Sequence, residues 1–454
     1  MLASPYFRLP CQTVQRISPI FIRRQTIIAN NNNARKAQAT KSGSEPPMPD
    51  SLQDQGFSRP SVLVVVPFRN SALRWINSYM AHFTAQSNSK TEIANRERFI
   101  SEFSLPEDTA DKLADAEGMG IYPPDHVHTF KGNIDDNFRA GIRVMKKALK
   151  LFETFYGSDL IVASPLGLRL AIEREGNSDF LSSIEILVMD QADVMTMQNW
   201  THLQFVFEHL NNLPKDPRDT DFSRVKSWFL DGHARHLRQN ILISSYETPQ
   251  IRALFNDTFR NIAGKVRFER RWPGVEIPEG IKQNFVKFEC NNGRDEADAR
   301  FEYFTKEFFP SLKKSAVLSA NTLLFIPSYF DFIRVRNWMK QNATVSVAFI
   351  SEESSKSEID RARAQFMKGQ KSFLVITERF HFFRRYRIKG ILNVIFYGPP
   401  DHANFYSELM AYPFFKKDVE PSEVTCKVLF SKYDAMALER LVGTKEAAAL
   451  IRGA

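Results

Sequence analysis

The chain has 454 residues, of which 43% are hydrophobic and 25% charged, so it is long enough for two or three domains with buried cores. No run approaches the roughly 20 apolar residues that a membrane span requires, so we expect no membrane partner. Its 61 Lys and Arg residues against 52 Asp and Glu residues give a net charge of +9, which favours a polyanionic partner, although an evenly solvated basic surface would have the same balance.

Residues 1–58 show little hydrophobic periodicity. They contain four consecutive asparagines at 30–33 and a Ser-, Gly- and Pro-rich stretch at 42–49. We therefore expect a disordered basic tail over residues 1–58. Seven Arg and Lys residues precede the first acidic residue, Glu45. This Arg-rich, acid-poor pattern is also typical of an organelle transit peptide, which makes the mitochondrion an alternative location.

Residues 59–262 alternate apolar strands with helices, the pattern of an α/β domain with a doubly wound parallel sheet. Two polar, charged segments, about 87–125 and 211–235, are interpreted as insertions. The predicted strands cover residues 62–66, 159–163, 184–189 and 238–245, and the predicted helices include 71–83, 139–155 and 200–210.

Residues 263–280 predict a linker, because glycines and prolines are spaced through charged residues. The alternation of strands and helices then restarts over residues 281–454, so the second domain repeats the architecture of the first. The predicted strands here cover residues 322–327, 345–350, 373–377, 394–397 and 427–430.

The strand at 184–189 ends in Asp190, Gln191 and Asp193. Parallel sheets present the residues that follow their strands to ligands at the carboxyl edge. In nucleotide-driven motors an Asp at this point holds magnesium and the next residue, a Glu, orients the attacking water. Gln191 cannot take a proton from water, so we interpret this position as a vestigial nucleotide site and expect no cofactor and no catalytic residue.

A metal site is not expected either. Cys11, Cys290 and Cys426 are far apart and have no metal-binding spacing. The same spacing favours a reducing, intracellular environment.

The order of these strand endings resembles the tandem RecA-like core of superfamily 2 helicases, and the DEAD-box group in particular. Residues 65–69, 163–167, 190–193 and 244–246 stand where that group has its Pro-Thr-Arg, Thr-Pro-Gly, Asp-Glu-Ala-Asp and Ser-Ala-Thr motifs. Two of the group's elements have no match here. A G-x-x-x-x-G-K-[ST] phosphate loop is missing before Val62, and the arginine-finger motif is missing after residues 397–400.

Longer blocks resemble the U3 small nucleolar RNA-associated protein 25 family, also called digestive organ expansion factor. They are residues 130–141, 156–168, 188–193, 378–386 and 396–400. This resemblance implies a non-catalytic, helicase-like component of the nucleolar small-subunit processome, needed for processing of the 18S rRNA precursor. The implied partners are pre-rRNA, U3 snoRNA and other processome proteins, and the implied location is the nucleolus. The alternatives are an RNA-dependent ATPase whose N-terminus was lost from the gene model, and an organellar RNA-binding protein.

The resemblance to helicases also predicts RNA contacts at strand ends of the first domain. Small hydroxyl groups and helix N-termini at these positions suit phosphates without reading sequence. The alternative is that Arg69 pairs with an acid of its own domain. The predicted contacts are Pro67, Arg69, Ser164, Pro165, Gly167 and Arg169.

The stretch 380–387 interleaves aromatic residues with arginines. It would allow base stacking and cation–π contacts with RNA, or docking to a partner protein. It could equally be an arm that packs its Phe side chains on the core and leaves its arginines in solvent. The predicted RNA contacts are Arg384, Arg385 and Arg387, and the predicted interface aromatics are Phe380, Phe382, Phe383 and Tyr386.

Overall fold

A computed structural model describes residues 5–42, 53–86, 91–111, 113–114, 120–216, 218, 220–314, 318, 320–342, 344–415 and 419–453. The chain divides into two compact units, Met1–Val266 and Arg267–Ala454. Each unit has its own sheet with helices packed on it. The predicted α/β class with two RecA-like units is therefore confirmed.

The sheet of the first unit has seven strands, in the order β2-β4-β3-β5-β1-β6-β7. Strands β5, β1, β6 and β7 pair in parallel. All residues of β5, β1 and β6 are buried, as expected for continuous apolar runs covered on both faces. The strands are β1 (Val62–Val65), β2 (Glu92–Ala94), β3 (Arg139–Val144), β4 (Ala148–Glu153), β5 (Leu160–Ala163), β6 (Ile186–Met189) and β7 (Gln239–Leu242).

Helices cover both faces of this sheet. Side chains at alternate strand positions enter two separate cores, one containing Val64 and Trp75 and the other containing Val65 and Leu168. The helices are α1 (Pro5–Ser42), α2 (Arg69–Gln86), α3 (Arg96–Phe103), α4 (Pro124–Phe130), α5 (Pro165–Glu175), α6 (Ala192–Thr196), α7 (Trp200–His209), α8 (Ser227–Leu230), α9 (Ala234–Leu237) and α10 (Pro249–Ala253).

The predicted helix over 139–155 is wrong, because this segment forms the antiparallel hairpin β3–β4. Strand β3 is also antiparallel to β5, so the first sheet is mixed and not entirely parallel. Buried residues alternate with more exposed ones along β4, where Leu149 and Leu151 are buried and Lys150 is exposed. This period of two is that of a strand. The basic residues of segment 139–155 resemble the solvent-exposed face of a helix as long as the pairing of β3 with β4 is not known.

The expectation of disorder over residues 1–58 is corrected for α1. Its described side chains fasten it to the first unit, with Phe21 buried in the Val64–Trp75 core. Asn31 Nδ2 donates to Asp54 Oδ2 at 2.9 Å, and Arg224 Nη1 donates to Asn32 Oδ1 at 2.7 Å. Two asparagines of the run therefore bond α1 to the rest of the unit. Their partners, Asp54 and Arg224, lie 23 and 192 residues away in the sequence, so the composition of residues 1–58 could not predict these bonds. Residues 43–52 lie outside the described part.

The second unit has a six-stranded sheet in the order β10-β11-β9-β12-β13-β8, in which every described pairing is parallel. The three central strands β11, β9 and β12 are buried throughout. The strands are β8 (Lys282–Lys287), β9 (Thr322–Ile326), β10 (Val347–Ile350), β11 (Phe373–Thr377), β12 (Asn393–Phe396) and β13 (Thr425–Phe430).

The helices of the second unit also lie on both sheet faces. Phe332 and Val335 join the core on one face, and Tyr406 packs on Phe396 of β12 at 4.9 Å between ring centroids on the other. Among the described helices of the chain, none is long and apolar enough to cross a membrane. The helices of this unit are α11 (Glu296–Tyr303), α12 (Phe309–Lys314), α13 (Tyr329–Asn342), α14 (Lys356–Met367), α15 (Glu378–Arg384), α16 (Ala403–Ala411), α17 (Ala435–Val442) and α18 (Thr444–Arg452).

Candidate nucleic-acid interface

Asp190 follows β6 at the carboxyl edge of the first sheet. Its Oδ1 accepts the Gln191 N–H at 2.9 Å. Burial raises the pKa of Asp190 to about 6, and the Gln191 N–H and the nearby Arg74 guanidinium oppose that shift. Asp193 is buried, and its Oδ1 accepts the Ser245 N–H at 3.2 Å, so it ties the start of α6 to the segment after β7. Both carboxylates are thus held by protein groups.

Gln191 has a left-handed backbone, with φ 60° and ψ 47°. This conformation turns the chain sharply between β6 and α6. The Ser71 hydroxyl donates to Gln191 Oε1 at 2.5 Å, and Arg74 Nη2 donates to the same hydroxyl at 3.2 Å. The polar groups of this sheet edge therefore bond one another. Among the described residues, no cluster of three or more His, Cys, Asp or Glu side chains is arranged to hold a metal ion.

Arg69, a predicted RNA contact, is fully engaged within its own unit. Its Nε donates to Asp135 Oδ2 at 2.7 Å, and its two terminal nitrogens donate to the carbonyls of Glu102 and Asn137, each at 3.0 Å. Arg69 thus pairs with an acid of its own domain. The carbonyl of Pro67, the neighbouring predicted contact, accepts a bond from Gln198 Nε2 at 3.3 Å.

Ser164, Pro165 and Gly167 are buried at the start of α5. The Ser164 hydroxyl caps this helix by accepting the Gly167 N–H at 2.9 Å, and it donates to the carbonyl of Asp136. The Ser164 hydroxyl and the Gly167 N–H at this helix N-terminus are therefore already bonded to protein groups. Arg169 is one-third exposed and bonds Glu173 at 2.8 Å, which leaves it the most accessible of the first-unit candidates.

The stretch 380–387 in the second unit divides into buried and exposed residues. Phe380 and Phe382 are buried, and Phe383 is half-buried against Phe382. Arg385 is 3% exposed, with φ 46°, and donates two bonds to Glu408 at 2.8 and 2.7 Å. Arg384 and Arg387 lie on the surface. Most of the stretch is thus packed on the core, and Arg384 and Arg387 are its exposed residues.

Arg384 and Arg387 belong to a larger surface that the sequence does not reveal. Arg363 of α14 stacks over Tyr386 at 4.5 Å, and its Nη2 donates to the Arg387 carbonyl at 3.0 Å. Arg387 in turn lies 5.2 Å from the ring centroid of Phe415, which is 48% exposed. We name this set the arginine–aromatic surface: Arg363, Arg384, Tyr386, Arg387 and Phe415.

Further exposed cations lie close to this surface in the sequence. The exposed residues Arg361 and Lys368 are on or next to α14, and Lys389 follows the stretch that carries Arg387. Asp360 lies 3.6 Å from Arg363 and offsets part of the charge. Stacked guanidinium groups with exposed rings are suited to nucleic-acid bases and phosphates.

A second polar cluster lies at the carboxyl edge of the second sheet, and the sequence reading missed it. Glu378 is 1% exposed and accepts the N–H groups of Asp401 and His402 at 3.1 and 2.9 Å. Its Oε1 also bonds His402 Nδ1 at 2.9 Å. Burial raises the pKa of Glu378 to about 7, and burial with the neighbouring Glu378 charge raises that of Asp401 to about 6. The available signal was a carboxylate directly after the apolar strand β11.

Replacing Glu378 with glutamine should make the protein less sensitive to rising pH. A carboxyl whose pKa is raised by folding stabilises the fold below its unfolded pKa, near 4.5, and that stability is lost as pH rises through about 7. Glu378 uses a separate oxygen for each N–H group, so Gln keeps an acceptor for one of them, and Gln does not ionise. In thermal unfolding, the stability of E378Q relative to the wild-type protein should rise by up to about 3 kcal/mol as the pH is increased from 5 to 8. The exposed Glu423→Gln variant is the control, and an equal gain there would contradict the assignment.

Two family models match the chain: "UTP25, NTP hydrolase-like domain" over residues 11–266, and "Utp25, C-terminal domain" over residues 275–454. A U3 small nucleolar RNA-associated protein 25 from Arthroderma benhamiae is 41% identical over 410 residues, covering 87% of this chain and 55% of the relative. The protein of that name from Neurospora crassa is 41% identical over 459 residues, covering 98% of this chain and 58% of the relative. The chain thus spans little more than half the length of these relatives.

Solved structures of DEAD-box proteins are distant matches. The yeast splicing factor Prp28 is 14% identical with a TM-score of 0.27, covering 86% of this chain and 67% of that one. Dbp5 of S. cerevisiae bound to RNA and ADP BeF3 is 13% identical with a TM-score of 0.28, covering 87% and 75%. These values are too low to place residues by superposition.

Proposed function

Since the chain belongs to the U3 small nucleolar RNA-associated protein 25 family, we propose that it is a non-catalytic, helicase-like component of the nucleolar small-subunit processome. In this role it is an RNA- and protein-binding scaffold in processing of 18S pre-rRNA. Its proposed partners are pre-rRNA, U3 snoRNA and other processome proteins, and its proposed location is the nucleolus. The names of the relatives give no support to the mitochondrial alternative.

The observation that carries the non-catalytic part of the proposal is the bonded network of Ser71, Arg74 and Gln191 beside Asp190. Hydrolysis of a nucleotide needs a metal-binding carboxylate, a group that orients water, and donors around the phosphates. Here the water-orienting position holds an amide that accepts a bond from Ser71. The nearby guanidinium of Arg74 donates to Ser71 and to the His128 carbonyl, at 3.1 Å.

The arginine–aromatic surface is the proposed RNA contact of this scaffold. It supplies exposed guanidinium groups for phosphates and the Phe415 ring for stacking. Arg169 is the proposed contact of the first unit. Arg69, Arg385 and the buried start of α5 are assigned structural roles in this proposal, because protein groups already occupy their polar atoms.

The test is RNA affinity measured at several salt concentrations with the double variant R384A/R387A. Loss of two phosphate contacts should weaken binding about 10-fold and reduce the slope of log affinity against log salt by about 1.5. The matched control K306A/K340A removes two exposed lysines of the same unit. An equal loss of RNA affinity in both double variants would show that only the net charge matters, and it would contradict the proposed surface.

An RNA-dependent ATPase is the second candidate, favoured by the NTP hydrolase-like model that matches residues 11–266. It predicts ATP turnover that rises in proportion to the protein, is stimulated by RNA and is lost in D190N. The scaffold proposal predicts the same background rate for D190N and the wild-type protein.

A further inference from the structure

A cavity of about 630 Å³ lies in the first unit, at the amino end of its parallel strands. This is the sheet edge opposite Asp190. Helix α1 forms one wall and the segments before β1, β5 and β6 form others. The amide of Gln25 donates to the carbonyl of Val144, so the wall from α1 is joined to the end of β3. The cavity has the volume of a typical small-molecule site.

Both acidic and basic side chains line this cavity, and its acids are better paired than two of its arginines. Its three carboxylates are satisfied by the protein. Asp159 accepts bonds from Arg59 and the Val144 N–H, and Asp179 accepts the N–H groups of Lys215 and Asp216 at 2.9 and 3.0 Å. Asp216 accepts the Arg218 N–H at 2.9 Å and lies 4.0 Å from the guanidinium of Arg218. The cavity's acids are therefore already compensated.

Two of the cavity's arginines are more weakly paired than its acids. Within the described residues, neither Arg24 nor Arg143 makes a side-chain hydrogen bond, and Arg24 Nη1 and Arg143 Nε are buried without a partner. Arg24 Nη1 is 3.9 Å from Glu185 Oε1, which already binds Lys226 Nζ at 2.6 Å. A buried donor without an acceptor is costly, and native proteins rarely retain one. Both guanidinium groups line the cavity, and none of their N–H donors makes a hydrogen bond to another described residue.

We propose that this cavity binds the phosphate group of a small ligand, with Arg24 and Arg143 as its donors. A guanidinium group can donate two parallel hydrogen bonds to one phosphate. Both arginines have N–H donors available for such bonds. Arg218, which stacks over the Tyr156 ring at 3.5 Å, adds a further guanidinium group to the same wall. A free phosphate compound and the terminal phosphate of an RNA share this chemistry. The proposal is independent of the scaffold function.

The experiment is calorimetric titration of the full chain with two probes, inorganic pyrophosphate and a 5′-phosphorylated RNA tetranucleotide. The wild-type protein should bind at least one of them. R24Q and R143Q should each weaken that binding about 10- to 100-fold, as expected for loss of a charge-assisted contact. The exposed cations Arg23 and Lys147 are neighbours of the cavity walls, and the control variants R23Q and K147Q should bind as the wild-type protein does.

The two probes identify the source of the phosphate. Binding of pyrophosphate alone assigns the site to a free phosphate compound, whereas binding of the tetranucleotide alone, lost on removal of its 5′-phosphate, assigns it to an RNA end. Folding is checked separately by thermal unfolding without ligand. R24Q and R143Q should melt at or slightly above the wild-type temperature, because each removes a guanidinium that makes no hydrogen bond in the fold. The proposal would be overturned if neither probe binds, or if R23Q and K147Q weaken binding as much as R24Q and R143Q do.

Discussion

Replacing Arg385 with alanine should destabilise the protein by about 3–5 kcal/mol, although the residue lies in a stretch that looks like a basic surface arm. The Arg385 guanidinium donates two bonds to Glu408, and the buried ring of His381 approaches Glu408 Oε2 at 3.2 Å. Burial alone would raise the pKa of Glu408, but the bonds from His381 and Arg385 lower it overall. Without Arg385, a mostly buried carboxylate keeps its desolvation cost and loses its main partner.

Guanidinium chloride unfolding of R385A, R384A and the double variant R385A/E408Q tests this assignment. R384A removes a neighbouring arginine that is exposed, so its change should stay within about 0.5 kcal/mol. The double variant should be more stable than R385A, because Glu408→Gln removes the unpaired charge. If R385A and R384A were equally mild, the ion pair would not stabilise the fold.

The parallel strands were predictable because they are fully buried. The runs ending at Val65 and Met189 are continuous and apolar, a pattern typical of buried parallel strands. The structure places both inside the first sheet, each with a parallel strand on either side. Strand β8 was missed for the opposite reason. It lies at one end of the second sheet, and its exposed half, Lys282–Asn284, is polar. Local pattern identifies the centre of a sheet better than its ends.

The candidate sites were less predictable, because pairing between distant residues decides which charges remain available. The sequence places Arg384, Arg385 and Arg387 in one basic stretch. Only the fold shows that a left-handed turn at Arg385 directs that side chain to Glu408 and leaves its neighbours in solvent. In the same way, Arg363 joins Tyr386 from a separate helix. Composition alone predicted a polyanionic partner but not the surface that would meet it.

The Gly167→Ala variant should lose about 3 kcal/mol or more of stability, because the backbone leaves no room for a methyl group. A Cβ at this position would lie 2.0 Å from the carbonyl oxygen of Phe138 and 2.8 Å from its carbonyl carbon. The segment cannot retreat easily, since the Ser164 N–H donates to that same oxygen at 3.2 Å and the Ser164 hydroxyl donates to the Asp136 carbonyl. Overpacking against fixed backbone is among the most costly single changes.

The matched control is Gly176→Ala at the other end of the same helix. Gly176 has φ +69°, and no heavy atom lies within 4 Å of the place that a methyl group would take, so alanine there carries only the cost of a left-handed backbone, about 1 kcal/mol. Unfolding of both variants by guanidinium chloride should therefore separate the steric cost from the conformational one. Equal losses would mean that residues 136–138 move away from α5 at little cost. That movement would open the helix N-terminus at Ser164 to a phosphate and restore the predicted contact that the present packing covers.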